Sequence, residues 1–370
     1  MDFDFYSPIR VLSGKDAVLR HTPLLRAFGG RCLIVTGGSG AVKSGALKDM
    51  KAALVSEDIA FDVFSEIGPN PLLSACHKAG ALAREAGAQF IVGIGGGSAL
   101  DAAKAAAVFA ANPDFAPTDI YTKERRPALP LVLVGTTAGT GSEVGKVSVL
   151  TNDETGRKKS VSGADLYPAL TFADPTYTGS MPYAVTVSTA LDALSHAMEG
   201  YCTPKCGDIP GLFGEKAVSL IWQGLLQLLE TKENPDDAGR ERLYYGSLYA
   251  GITLAACGTA FPHPLGYVLT EGFGTAHGTA CAVFLPAFLR RALQYTPEKA
   301  QRLLAAMGTD ADTFCRVVKA LTDCPVKLTA QEIDTACRRW DEAVPNNFKQ
   351  SPGGFTKEDA KALLTELLCS

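Results

Sequence analysis

An α/β domain with a parallel sheet, followed by an all-α domain, is the fold class this sequence predicts, and three observations predict it. Short apolar runs alternate with longer Ala-rich amphipathic stretches through the first half, the pattern of β-α-β units. The three clearest runs, Arg31–Thr36, Gln89–Ile94 and Leu129–Val134, are each followed at once by a glycine-rich turn. From about Pro182 the texture changes to long Ala/Leu stretches with charged faces, for example Gly214–Glu230, Arg240–Ala256 and Thr356–Leu368, which read as helices. No repeat of fixed period and no low-complexity segment appears. The economical division is a sheet domain over 1–181 and a helical domain over 182–370, with the boundary near Ser180, Met181 and Pro182.

Size and composition narrow the function classes. At 370 residues, 46% hydrophobic and 20% charged, the chain can bury two cores of ordinary domain size. A formal net charge of -4 without blocks of like charge gives no electrostatic footprint for nucleic acid or an anionic membrane, so a small-molecule substrate is expected. The start, Met1-Asp2-Phe3-Asp4-Phe5, is acidic and no apolar stretch approaches a membrane span, which sets the expectation of a cytoplasmic protein. Ten cysteines are scattered without the close pairs of a zinc ribbon and read as mostly buried thiols. Cys202 and Cys206, in a Pro/Gly-rich stretch, are weak metal candidates.

Two groups of residues carry chemistry. Gly95-Gly96-Gly97-Ser98 comes directly after a strand and before the helical Ala99-Leu100-Asp101-Ala102-Ala103-Lys104, so backbone N–H groups and a helix N-terminus converge where a phosphate would bind. The pattern is neither Gly-x-Gly-x-x-Gly nor a Walker loop, and a tight turn alone is the competing account. Thr136-Thr137-Ala138-Gly139-Thr140-Gly141-Ser142-Glu143 follows the third strand with hydroxyls and small residues that let a ligand approach. In the second half, Asp192 and His196 lie four apart in a helical run, which puts both on one face. His263 and His277 follow, so three of only five histidines could join one carboxylate, a donor set suited to a divalent transition metal. The same residues also fit an Asp/His pair that only bond each other, with two unrelated loop histidines.

On these motifs the chain resembles the iron-containing (group III) alcohol dehydrogenases, a family related to glycerol dehydrogenase and 3-dehydroquinate synthase. The resemblance spans nearly the whole chain, from the Pro8 and Gly14 region through Gly95-Gly96-Gly97-Ser98-x-x-Asp101-x-x-Lys104 and Thr136 to Val144, then Met181-Pro182, Asp192-Ala193-Leu194-x-His196-x-x-Glu199-Gly200-Tyr201 and His277-Gly278. It implies an N-terminal dinucleotide-binding domain, a helical metal-binding domain and a metal in the cleft between them. Carried over by position, Asp192, His196, His263 and His277 would be the metal ligands, to Fe2+ or Zn2+. Gly96, Gly97 and Ser98 would hold the pyrophosphate with Asp101 nearby, and Thr136, Thr137, Thr140, Ser142 and Lys159 would line the nicotinamide-ribose end. Asn70 matches a position near the adenosine. Glu199, seven residues from Asp192 on the same face, would orient a ligand or pack structurally in place of binding the metal itself. Members of the family commonly form homodimers or larger homo-oligomers.

Two departures bear on function. Many relatives carry a second His four residues after the third ligand; here that position is Tyr267, a phenol whose ordinary pKa near ~10 makes it a poorer proton relay than imidazole. Relatives that prefer NAD often carry Asp at the end of the first strand, where this chain reads Thr36-Gly37-Gly38-Ser39 with Lys43 close by. Without a carboxylate to bond the ribose, and with a hydroxyl and a cation at hand, a 2′-phosphate is favoured, so NADP(H) is expected over NAD(H). The expected activity is hydride transfer between the nicotinamide and a small primary alcohol or aldehyde. A glycerol-type polyol dehydrogenase and a maleylacetate reductase-like activity are nearer alternatives, and a dehydroquinate-synthase-like lyase or a binding protein without catalysis are more distant ones.

Overall fold

Burial on both faces of each central strand decides the architecture of the first half. In the computed structural model, which describes residues 5–369, eight strands form: β1 (Arg10–Ser13), β2 (Arg31–Gly37), β3 (Ala60–Ile67), β4 (Phe90–Gly95), β5 (Leu131–Gly135), β6 (Val147–Thr151), β7 (Lys158–Ser162) and β8 (Leu170–Ala173). Leu33, Val35, Ile91, Leu131 and Leu133 enter one apolar cluster, whereas Cys32, Ile34, Phe90, Val92, Ile94, Val132 and Val134 enter the other. A strand with two buried faces must be covered by helices on both, the condition of a doubly wound parallel sheet. Helices α1 (Ala17–Arg20), α2 (Gly40–Lys43), α3 (Ala46–Ser56), α4 (Leu73–Glu85) and α5 (Gly97–Ala111) supply that cover.

The six-stranded sheet has the order β1-β8-β5-β4-β2-β3 with every pairing parallel. β2 leads outward to β3 on one side, and β4 leads to β5 on the other. The order therefore reverses between β2 and β4, and their carboxyl ends flank the crevice where open α/β sheets bind ligands. β6 and β7 form a separate antiparallel hairpin. Sequence periodicity located β2, β4 and β5 but not β1, β3 or β8. β1 and β8 are only four residues long, and β3 is an edge strand that carries Asp62, Ser65 and Glu66 among its apolar residues.

The chain from Pro182 is a second compact unit. It contains α6 (Tyr183–Cys202), α7 (Asp208–Thr231), α8 (Asp237–Cys257), α9 (Pro262–Phe273), α10 (His277–Ala282), α11 (Leu285–Tyr295), α12 (Pro297–Met307), α13 (Ala311–Thr322), α14 (Ala330–Cys337), α15 (Asn346–Gln350) and α16 (Lys357–Leu368). α6 is buried over nearly its whole length, so its polar residues are either partnered or functional. His263 and His277 are not loop residues, as one sequence account had them: His263 lies in the first turn of α9 behind Pro262, and His277 opens α10. No disulfide links the described residues, and none of their helices is long and apolar enough to cross a membrane. The acidic Met1–Asp4 segment lies outside the described residues.

Candidate metal centre and nucleotide loops

The helical unit concentrates three imidazoles on one carboxylate. Asp192, His196 and Glu199 share one face of α6, as i, i+4 and i+7 spacing requires. Asp192 Oδ1 lies 3.7 Å from His196 Nε2, 3.8 Å from His263 Nε2 and 3.8 Å from His277 Nε2. These separations are too long for hydrogen bonds. They approach the ~3.4 Å that separates donors of a tetrahedral ion with bonds of about 2.1 Å. An anionic oxygen among three neutral imidazole nitrogens is the donor chemistry of a zinc or iron(II) centre, so the residues present fit the metal that the sequence implies. The His196 and His263 rings stack at 4.6 Å, and the His263 and His277 rings meet edge-on at 5.5 Å. Asp192, His196 and His263 are buried, whereas the His277 side chain is 28% exposed. The open side of the cluster is therefore the His277 side.

The positions of α9 and α10 follow from two contacts with α6. Glu199, fully buried, accepts from the backbone N–H of Ala260 at 2.8 Å and is hydrogen-bonded to His263 Nδ1 at 2.7 Å. An ionised carboxylate only accepts, so this bond holds the proton on Nδ1 and leaves the Nε2 lone pair for the cluster. Burial pushes the Glu199 carboxyl above the usual carboxylate range, against the opposing pull of His263. The second contact is at Gly278, where α10 crosses α6 so closely that a Cβ would stand 1.8 Å from the Ser188 carbonyl oxygen. Tyr267, one turn after His263 on α9, stacks nearly parallel on His277, with centroids 5.4 Å apart.

Sequence reasoning missed one member of this cluster. Donor atoms of Asp192, His263, His277 and Cys281 all lie within 4.8 Å of one another, a tight group that includes Cys281 and leaves out His196. The signal was present, since Cys281 follows His277 by four residues on one helix, but the only cysteines weighed as ligands from sequence were Cys202 and Cys206. Cys202 and Cys206 are not part of it. Burial pushes the Cys202 thiol up to about 12.

In the sheet unit, the glycine turn, the Thr136–Ser142 segment and the end of β2 all lie at the carboxyl edge around the strand-order reversal. Gly96 and Gly97 lie against Thr137 and Thr140: a Cβ on Gly97 would come within 2.5 Å of the Thr140 methyl, and one on Gly96 within 2.9 Å of that of Thr137. Asn70 adopts a left-handed conformation, and its backbone N–H donates to Ser98 Oγ at 3.2 Å. Asp101 accepts from Ser142 Oγ at 2.6 Å and from the Val149 N–H at 2.9 Å. Lys104, fully buried, donates to the Ser142 carbonyl, Ser142 Oγ and the Val147 carbonyl. Burial lowers its pKa to about 8, against the opposing pull of Asp101 and Glu143. Thus α5 anchors the threonine segment from behind. Thr136 is buried, and its Oγ1 lies 4.0 Å from where a Cβ on Gly40 would stand.

Lys159 is the predicted residue that these contacts do not gather in. On β7 it shares a face with Val161, and its Nζ lies 4.6 Å from the Tyr121 ring centroid. Lys158, on the alternate face, adds to the stronger pull of Lys104 on Asp101, on which Lys159 does not act. Gly38 and Ser39, just after β2, and Lys43, at the end of α2, are exposed. Gly37 has a steric reason of its own: a Cβ there would stand 2.3 Å from the Ile67 carbonyl oxygen, beside a register irregularity between β2 and β3. The missing carboxylate at that position is therefore required by strand packing and is not in itself a cofactor signal.

Comparison with known proteins agrees across both units. The family model described as iron-containing alcohol dehydrogenase matches residues 8–175, and the C-terminal model of the Fe-containing alcohol dehydrogenase family matches residues 186–335. Long-chain-alcohol dehydrogenase 1 of Geobacillus thermodenitrificans is 32% identical over 320 residues, 85% of this chain and 80% of the relative. Lactaldehyde reductase of Escherichia coli (strain K12) is 29% identical over 338 residues, 90% of this chain and 84% of the relative. Among solved structures, an iron-containing alcohol dehydrogenase of Thermotoga maritima superimposes with a TM-score of 0.91 at 33% identity, covering 99% of each chain. Sulfoacetaldehyde reductase from Bifidobacterium kashiwanohense, in complex with NAD+, gives 0.88 at 27% identity, again covering 99% of each chain.

Proposed function

The chain belongs to the iron-containing alcohol dehydrogenase family, and from that membership we propose that it interconverts a small primary alcohol and its aldehyde with a nicotinamide dinucleotide, at a divalent metal centre. The observation that carries this reading is Asp192 Oδ1 set 3.7 to 3.8 Å from three imidazole Nε2 atoms. Asp192, His196, His263 and His277 would hold the ion, which supplies Lewis-acid stabilisation of negative charge on the substrate oxygen. Asp192 lowers the net charge of the centre, and Glu199 fixes the tautomer and direction of His263. Tyr267 braces the partly exposed His277 ring and presents a phenol that can bond a substrate oxygen. Gly96, Gly97 and Ser98, at the N-terminus of α5, would take the pyrophosphate. Asp101 and Lys104 keep the threonine segment in place for the nicotinamide-ribose end.

The primary test is oxidation of NADPH, with NADH in parallel, against short-chain aldehydes, on metal-stripped protein reloaded with Fe(II) or Zn(II). Turnover restored by either ion supports the reading, and absence of turnover with both, despite nucleotide binding, refutes it. The same assay decides cofactor preference. With Gly37 explained by packing, the case for NADP(H) rests on the exposed Ser39 hydroxyl and Lys43 ammonium that follow the carboxyl end of β2. A charge-assisted bond to a phosphate contributes roughly 1.5–3 kcal/mol. Lys43→Ala should therefore lower kcat/KM for NADPH about 10- to 100-fold and leave that for NADH unchanged. Equal or better use of NADH by the wild-type protein would refute the preference.

Glu199 gives a further prediction. In Glu199→Gln one carboxylate oxygen becomes an amide NH2, so the Ala260 N–H and the His263 Nδ1–H can no longer both find an acceptor. Loss of such an orienting partner typically weakens metal binding about 10- to 100-fold. Competition with a chelator measures this directly, and an unchanged metal affinity would remove Glu199 from the centre.

A further inference from the structure

We propose that Cys206 and Cys257, outside the metal cluster, form a reactive thiol pair that a hydroperoxide converts to a reversible disulfide. Cys206 lies in the turn between α6 and α7, and Cys257 is the last residue of α8. Thr203 joins the two segments. Its carbonyl accepts from the Cys206 N–H at 3.2 Å, and its hydroxyl is shared between the carbonyls of Gly200, at 3.0 Å, and Cys257, at 3.3 Å. The Cys257 thiol in turn donates to the Cys206 sulfur. Cys202, the third thiol of this region, is buried and bonded to the Thr296 side chain instead.

The two thiols are unequal. Cys257 is buried, whereas Cys206 is half-buried and directly precedes Gly207, the N-cap of α7. Its sulfur lies over the first turn of that helix, 3.9 Å from where a Cβ on Gly211 would stand, at the helix end that favours an anion. Lys299 donates to the carbonyls of Thr203 and Cys206 at 2.9 and 3.1 Å, which holds its ammonium at the turn. The bond from Cys257 and the charge of Lys299 keep the Cys206 thiol below its ordinary range, against its burial and the charge of Glu215. A thiolate in a partly exposed, electropositive place is the form that reacts. Cys315, also half-buried, has its thiol pushed up by burial.

The Cys206 thiolate attacks one peroxide oxygen and the O–O bond breaks. Cys206 becomes a sulfenic acid, and the departing hydroxide takes up the proton that Cys206 had released. The Cys257 sulfur then attacks the Cys206 sulfur: the S–S bond forms, the S–O bond breaks, and the oxygen leaves with the Cys257 proton as water. The thiol pair loses two electrons and hydrogen peroxide is reduced to water. Capture by Cys257 stops Cys206 on the reversible rung, short of sulfinic acid.

The test uses the full chain loaded with zinc, which has no redox chemistry of its own, treated with hydrogen peroxide, alkylated and digested with trypsin. The wild-type protein should yield a disulfide between Cys206 and Cys257, assigned by fragmentation because Cys257 shares its tryptic peptide with Cys281, and dithiothreitol should restore both thiols. Before oxidation, iodoacetamide should label Cys206 at least ~10-fold faster than Cys315 at neutral pH. In Cys257→Ala that labelling should need a higher pH, since the S–H donor is gone, and peroxide should give a sulfenic acid at Cys206 that dimedone traps and that otherwise proceeds to sulfinic acid. A merely structural Cys257 would give neither change, and the wild-type disulfide stands as a result even if the variant does not fold. Labelling of Cys206 no faster than that of Cys315, a disulfide from Cys206 to Cys202, or peroxide-treated wild-type protein in which Cys206 and Cys257 remain unlinked would each overturn the assignment.

Discussion

Asp192→Asn protein should purify folded, bind little or no zinc or iron(II), and lose kcat by on the order of 10³-fold or more. The substitution keeps the shape of the side chain and removes its charge. Three neutral imidazoles and an amide would then face a divalent cation without an anionic donor, and the Lewis-acid contribution to the hydride step, several kcal/mol, disappears with the ion. The stability of the metal-free protein should move the other way. Asp192 is buried, and an ionised carboxylate in such a place is costly until a cation compensates it. Metal-free Asp192→Asn should therefore be at least as stable to urea as the metal-free wild type, the signature of a residue kept for function. Metal analysis, steady-state kinetics and urea titration on one preparation check all three points. A variant with full metal content and normal turnover would remove Asp192 from the ligand set.

How far the sequence anticipates this architecture depends on the range over which each feature is encoded. The strands β2, β4 and β5 are buried on both faces, so each is a continuous apolar run that local reading detects. The edge strand β3 mixes Asp62, Ser65 and Glu66 with apolar residues and lacks that contrast. The pairing of Asp192 with His196 is a local consequence of helical spacing. Convergence of His263 and His277 on the same oxygen is a tertiary event, which residue spacing only suggested and which the family resemblance supplied.

Gly37 shows the opposite limit. Read along the chain, it is an absent carboxylate with a meaning for cofactor choice. In space it is a glycine that the Ile67 carbonyl leaves no room to replace. Two causes can leave the same letter in a sequence, and only the neighbour in space separates them. Cys281 is the converse. Its spacing from His277 was legible, but its place beside Asp192 and His263 arises only from the packing of α9 and α10.

Gly278→Ala should disable the centre without touching a donor atom. The added methyl would fall 1.8 Å from the Ser188 carbonyl oxygen, 2.8 Å from Asp192 Cβ and 2.9 Å from the Asp192 backbone nitrogen. The first and last of these are backbone atoms of a buried helix and cannot turn aside, so α10 must back away from α6 by roughly 1 Å or more. His277 and Cys281 move with it, since both are on α10. Overpacking of this kind costs about 1–3 kcal/mol of stability, and a misplacement of ~1 Å in a reacting constellation costs on the order of 10²-fold in rate. Gly272→Ala is the control. Gly272 lies in α9, is exposed, and has nothing within 4 Å of where its Cβ would be. The same added methyl there should be neutral or stabilise the helix by about 0.5–1 kcal/mol. Zinc affinity, kcat and thermal stability measured for the two variants separate the effects. Loss of zinc and turnover in Gly278→Ala alone shows that the approach of α10 to α6 sets the geometry of the centre, and a Gly278→Ala protein that binds zinc and turns over like wild type shows that it does not.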